Sequence, residues 1–164
     1  MGRSAEKDFR MAREAMLAAA PTPAGNIHPV PTLELDHDAV AVAYHAELQH
    51  AYAAASLTRA RPLSHIGSLG LGCGGHTPSL LPGEPVLEER SRWAAAVAHG
   101  RPETRIILTY PVIDASNRVA FLVSGAGKRD ILRQVLSSRG SVPAPRLQLL
   151  GELVFIADRD AAGE

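Results

Sequence analysis

The chain has 164 residues, with 17 basic side chains set against 17 acidic ones and no long block of either sign. That balance leaves no electrostatic footprint for nucleic acid or an anionic membrane, and the length suits a single domain over residues 1–164, burying roughly two-thirds of its surface on folding. A lone cysteine, Cys73, excludes an internal disulfide framework; no apolar run approaches the roughly 20 residues of a membrane span, and the polar start M-G-R-S-A-E-K-D has no signal-peptide apolar core. A cytoplasmic protein with a small-molecule partner is the expectation.

Taken in order, Ser4 can cap a first amphipathic, core-facing helix whose Phe9, Ala12, Met16 and Ala19 recur at helical spacing, and Pro21 with Pro23 stops it. Residues Ile27 to Leu35 contain Pro29 and Pro31 and suit an extended connection or a short edge strand. Asp36 or Asp38 opens a second core-facing helix with the stripe Val40, Tyr44, Leu48, Tyr52 and Ala55, ending before Pro62. A strand-like run from Pro62 to Leu69 leads into a glycine-rich loop.

Beyond that loop, Val86 to Ala98 reads either as a helix pairing Glu88 with Arg92 or as a strand over Trp93 to Val97. From Thr104, R-I-I-L-T-Y-P is a β-rich run, and Val119 to Val123, V-A-F-L-V, is the continuous apolar run of a buried parallel strand. It continues through Ser124-Gly-Ala-Gly-Lys128 into a helix from about Lys128 to Leu136, and a last strand covers Glu152 to Ala157. Strands alternating with helices predict a three-layer αβα domain with a mainly parallel sheet.

Two glycine-rich segments carry the candidate chemistry. Leu69 to Glu84 reads L-G-L-G-C-G-G-H-T-P-S-L-L-P-G-E, with four glycines in six residues (Gly70, Gly72, Gly74, Gly75) that can take positive φ and approach a ligand closely. Gly70, Gly72 and Gly75 satisfy the bare dinucleotide fingerprint, but a helix that Thr77 and Pro78 could start would be broken at Pro82. His76, among small residues in an open loop, is suited to act as a general base near neutral pH, although a lone loop histidine is more often an innocent surface residue.

The second segment, S-G-A-G-K, joins a buried strand to a helix N-terminus, where free backbone N–H groups, the helix dipole and Lys128 would favour an anion. It is too short for a nucleotide P-loop, and Arg129 stands where a magnesium-binding hydroxyl is needed, so a phosphate ester without obligatory metal is expected. The alternative is that its glycines pack the helix against the sheet and Lys128 is solvated. The other histidines show no i, i+4 pair and no cysteine partner, and no metal is expected.

In order and spacing, G-L-G-C-G-G-H-T-P-S-L-L-P-G, R-I-I-L-T-Y-P-V-I, V-A-F-L-V-S-G-A-G-K and G-E-L-V-F-I-A-D-R-D-A-A resemble the 6-phosphogluconolactonase family, within the superfamily of glucosamine- and galactosamine-6-phosphate isomerases. With F-R-M-A-R-E-A-M-L and I-H-P-V-P-T the resemblance covers about Asp8 to Ala162. It implies the sheet fold of those isomerases and hydrolysis of 6-phospho-D-glucono-1,5-lactone in the pentose phosphate pathway, without a cofactor because a lactone is already an activated ester. It makes His76 the base that deprotonates the attacking water and Lys128 the holder of the 6-phosphate. Gly72, Gly75, Thr77, Gly125 and Gly127 would be substrate-binding, with loop N–H groups from Gly74 to Thr77 facing the oxyanion.

The family pattern has an aspartate where Gly74 stands and another near position 65, where His65 stands. It also begins with roughly another third of chain carrying a phosphate loop, so the resemblance implies the C-terminal two-thirds of a lactonase, prone to self-association through an exposed sheet edge. The rival readings are a sugar-phosphate isomerase and a non-catalytic remnant that binds sugar phosphates or assembles with a partner.

Overall fold

The computed structural model describes residues 9–31, 36–58, 60–72, 74–76, 80–81, 83–98, 104–137, 147–149 and 151–163. Ser4, Cys73, Thr77, Pro78 and Pro82 lie outside them.

The organising element is a parallel sheet of β1 (Gly67–Gly70), β4 (Arg118–Val123) and β5 (Glu152–Ala157), in the order β1-β4-β5. The apolar run read as a buried strand is the central one, paired on both sides, with Val119 and Phe121 fully buried. Register places Leu69, Phe121 and Phe155 in one row on the core face, the two rings stacked with centroids 5.1 Å apart. The neighbouring row on the other face, Gly70, Leu122 and Ile156, leaves Leu122 53% and Ile156 55% exposed. β5 can lie close beside the start of β4 because residue 151 is glycine: a Cβ there would overlap the Asn117 carbonyl, which accepts from the Glu152 amide at 3.0 Å.

The strand expected over Pro62 to Leu69 is shorter. Only Gly67–Gly70 joins the sheet, preceded by an isolated bridge from Ser64 to the buried Ser116. Pro62 has no N–H to add to a ladder, which fits this late start.

A second, antiparallel sheet pairs β2 (Ala94–Val97) with β3 (Arg105–Leu108), so the strand reading of Trp93 to Val97 holds from Ala94 onward. A single 3₁₀ turn, Pro85–Glu88, comes before it, and the Glu89 carboxylate accepts from the Arg90, Ser91 and Arg92 amides, the Ser91 hydroxyl and the Arg92 guanidinium. The ion pair is thus Glu89 with Arg92 at 2.6 Å, instead of Glu88 with Arg92. The β-rich run also ends early: Thr109 stands just before α2 (Tyr110–Asp114), its hydroxyl donating to the Arg92 carbonyl, and Pro111 lies in the first turn of the helix, where a missing N–H costs nothing.

Helix α1 (His37–Tyr52) is capped by Asp36, which accepts from the Asp38 and Ala39 amides at 3.0 and 3.3 Å, and it packs on the β2–β3 sheet. Tyr52, at its end, meets Trp93 edge-on and joins Val112 in a small satellite core. The main core gathers Val119, Phe121 and Val123 with Val97, Ile107 and, from α3 (Arg129–Ser137), Ile131, Leu132 and Val135. The short α4 (Arg159–Ala162) adds Ala161.

The first helix departs from its expected role. Over Arg13–Leu17 it is π-helical, with no buried residue, and Met11 and Met16 are exposed. Its i→i+5 bond from the Ala18 amide to the Arg13 carbonyl breaks the 3.6-residue period on which a core-facing stripe depends. Ile27 to Pro31 is an extended connection, as the prolines require, and is in no strand.

Candidate active site at the carboxyl end of the parallel sheet

The Gly70, Leu122 and Ile156 row decides where the loops go. Adjacent strands lie about 4.8 Å apart and run the same way, so the loop after β1, the turn after β4 and the residue after β5 leave from one end of the sheet. These are the His76 loop, the Ser124 to Lys128 turn and Asp158. In open parallel sheets this carboxyl end is where ligand crevices form.

The His76 loop is closed on itself. The Gly72 amide donates to the His76 carbonyl at 2.8 Å and the Gly75 amide to the Gly72 carbonyl at 3.0 Å, with Gly75 at φ 69°. This tight turn folds the half-buried imidazole back over Gly72, where a Cβ would overlap Nε2 and Cε1. A Cβ on Gly74 would stand 3.2 Å from Nδ1. Gly72 and Gly75 therefore serve as shape: one gives the imidazole its seat, the other the turn, and both amides are used within the loop. Among the loop's described glycines, only Gly75 and Gly83 have positive φ. Thr77 lies outside the described residues.

The Ser124 to Lys128 turn is built differently from a set of free donors. Gly125 sits at φ 90° and its amide donates to both oxygens of Asp158, at 2.9 and 3.1 Å; the Lys128 amide donates to the Gly125 carbonyl at 3.0 Å. Gly125 contributes conformation in place of the free N–H expected of it. A Cβ on Gly125 or Gly127 would meet nothing within 4 Å, so neither glycine is there to pack the helix on the sheet. Lys128 ends the 3₁₀ turn Ala126–Lys128 and is half-buried where α3 begins, so its ammonium and the helix's positive end belong to one region.

Asp158 escaped the sequence reading. Besides Gly125 it accepts from the Ser124 hydroxyl at 2.6 Å and, as the cap of α4, from the Ala161 amide at 2.8 Å. The Ser124 hydroxyl, then the Ala161 and Gly125 amides, hold its carboxyl below the usual aspartate range. An aspartate before R-D-A-A does signal a helix cap, but its reach to Ser124 and Gly125 joins residues more than thirty positions apart.

Two other histidines have structural partners: His28 Nδ1 lies 2.7 Å from the Glu47 carboxylate, and His45 Nδ1 accepts from the Trp93 amide at 3.1 Å. Among the described residues no three histidine, cysteine or acidic side chains cluster as metal ligands would.

The family model described as glucosamine-6-phosphate isomerases/6-phosphogluconolactonase matches residues 2–155. The chain belongs to this family. Among its relatives, the 6-phosphogluconolactonase of a Nostoc species is 36% identical over 94% of this chain and 64% of its own length; the human one is 30% identical over 96% and 61%. The chain thus spans somewhat less than two-thirds of the length of these relatives. The solved structure of the Trypanosoma brucei 6-phosphogluconolactonase superposes with a TM-score of 0.75 at 25% identity, over 94% of this chain and 66% of that one. The fold of this family is therefore the α/β arrangement described above.

Proposed function

We propose that this chain hydrolyses 6-phospho-D-glucono-1,5-lactone to 6-phosphogluconate, with His76 as base and Lys128 as phosphate holder. The observation that carries this is the common exit of the His76 loop and the Lys128 turn from the carboxyl end of neighbouring parallel strands. An anion held at Lys128, with the amides of Ala126 and Gly127 and the helix end, would fix one end of a sugar phosphate and bring C1 toward the imidazole.

His76 takes a proton from water as the water oxygen bonds to C1, producing a tetrahedral oxyanion; the C1 to ring-oxygen bond then breaks and the imidazolium returns the proton to the departing ring oxygen. Loop N–H groups of the Gly74 to Thr77 segment would stabilise the oxyanion, without the Gly75 amide, which is used within the loop. No cofactor enters this scheme. The compartment proposed for this reaction is the cytoplasm. Among the described residues no helix is long and apolar enough to cross a membrane.

Self-association through the exposed sheet edge is part of the same proposal, with the half-exposed Leu122 and Ile156 as apolar surface that would add to it.

The test is kinetic. With uncatalysed opening subtracted, His76→Ala should cut enzyme-dependent hydrolysis by roughly 10² to 10⁴. Lys128→Ala should chiefly raise KM and weaken 6-phosphogluconate binding. Equal rates in His76→Ala and parent remove His76 from the mechanism; turnover of glucosamine 6-phosphate instead of the lactone would favour an isomerase.

A further inference from the structure

The carboxylate of Asp158 has no place in the chemistry above, yet it stands against the turn that would bind the phosphate. It receives donors from two elements: the Ser124 hydroxyl and Gly125 amide at the end of β4, and the Ala161 amide of α4. The Asp158 amide in turn donates to the Val123 carbonyl at 3.2 Å. Residue 125 is at φ 90°, ψ 151°, a conformation almost exclusive to glycine that needs its surroundings to hold it. A bidentate acceptor on its N–H provides that restraint, and the Gly125 carbonyl then takes the Lys128 amide.

We infer that Asp158 is a positioning residue: by holding Ser124 and Gly125 it sets the turn that carries Lys128, and so sets affinity for the phosphate group of the substrate. The inference rests on the lactonase reading above. Its sign is diagnostic, because a carboxylate beside a dianion opposes binding by charge alone. Removing it would tighten phosphate binding if charge were its main effect, and weakens binding if it orients the turn.

The experiment compares Asp158→Ala, Asp158→Asn, Ser124→Ala and Lys128→Ala for lactone kinetics, for 6-phosphogluconate affinity by calorimetry and for melting temperature. Asp158→Ala should raise KM and the 6-phosphogluconate Kd about tenfold, the worth of a lost charge-assisted hydrogen bond, with kcat within about twofold of the parent. Asparagine, which keeps one acceptor oxygen, should restore part of that loss. Ser124→Ala, which removes one donor and leaves the α4 cap, should show a smaller rise in KM and keeps the inference testable if Asp158→Ala fails to fold. Unchanged or tighter binding in Asp158→Ala, or a fall in kcat with KM constant, would overturn it. If Lys128→Ala weakens binding and Asp158→Ala does not, the positioning role alone falls; if neither does, the phosphate-site reading falls with it.

Discussion

Gly72→Ala tests the His76 loop with a single methyl group. A Cβ at residue 72 would overlap Nε2 and Cε1 of the imidazole, so the ring must swing away or the loop must open and lose the 2.8 Å bond from the Gly72 amide to the His76 carbonyl. Moving a catalytic group by about 1 Å costs on the order of 10²-fold in rate, and overpacking costs roughly 1 to 3 kcal/mol of stability. Lactone hydrolysis by Gly72→Ala should therefore fall at least about a hundredfold, toward the level of His76→Ala. Gly25→Ala, where a Cβ meets nothing within 4 Å, should match the parent. The decisive comparison is the double variant: with the imidazole gone the overlap is gone, so alanine at 72 should add almost no further loss to His76→Ala. Parental activity in Gly72→Ala, or losses that multiply in the double variant, would refute the proposed seat.

The Glu89 carboxylate, one-seventh exposed, is held far below the usual glutamate range, chiefly by the Arg92 and Ser91 amides and then by their side chains. A depressed acid stabilises the fold above its unfolded pKa of about 4.3 and loses that contribution as pH falls through the folded value, so Glu89→Gln should cost about 1 to 3 kcal/mol at pH 7. Denaturant melts should show the gap between parent and variant narrowing below about pH 4; a gap independent of pH would refute it. Leu122 and Ile156 should drive association through their half-exposed face, so light scattering after size exclusion should show oligomers that Leu122→Gln diminishes. A parent that stays monomeric at every concentration would refute that use of the face.

What was legible in the sequence depended on whether the cause was local. Val119 to Val123 declares itself because an unbroken apolar run specifies a buried strand, and it is found where expected, as is the last strand, Glu152 to Ala157. Asp36 reads as a cap for the same reason: its partners are two and three residues away. The alanine-rich β2 has no such mark, and only its antiparallel pairing with β3 makes it a strand. In the site, residue types announce His76 and Lys128, but that Gly72 underlies the imidazole and that Asp158 takes the Gly125 amide are facts of three-dimensional proximity.

The same geometry bears on Gly74, the position where the family pattern carries an aspartate. A Cβ there would lie 3.2 Å from Nδ1, tight enough that the ring must give by a few tenths of an ångström, and it brings a side chain at 74 within reach of that nitrogen. A carboxylate accepting from Nδ1–H fixes the tautomer that leaves Nε2 free to take a proton, and it stabilises the imidazolium that forms. In this chain residue 74 brings no such carboxylate, and Gly72 and the closed loop shape the ring's seat, which is why that seat should be sensitive to one methyl group. Gly74→Asp should therefore raise kcat at least about tenfold, a small part of the ~10⁴ that the orienting aspartate contributes in serine proteases. It should also shift the acidic limb of the pH–rate profile upward, since the new charge favours the protonated ring. A variant with the parent's rate and profile would show that residue 74 does not act on the imidazole.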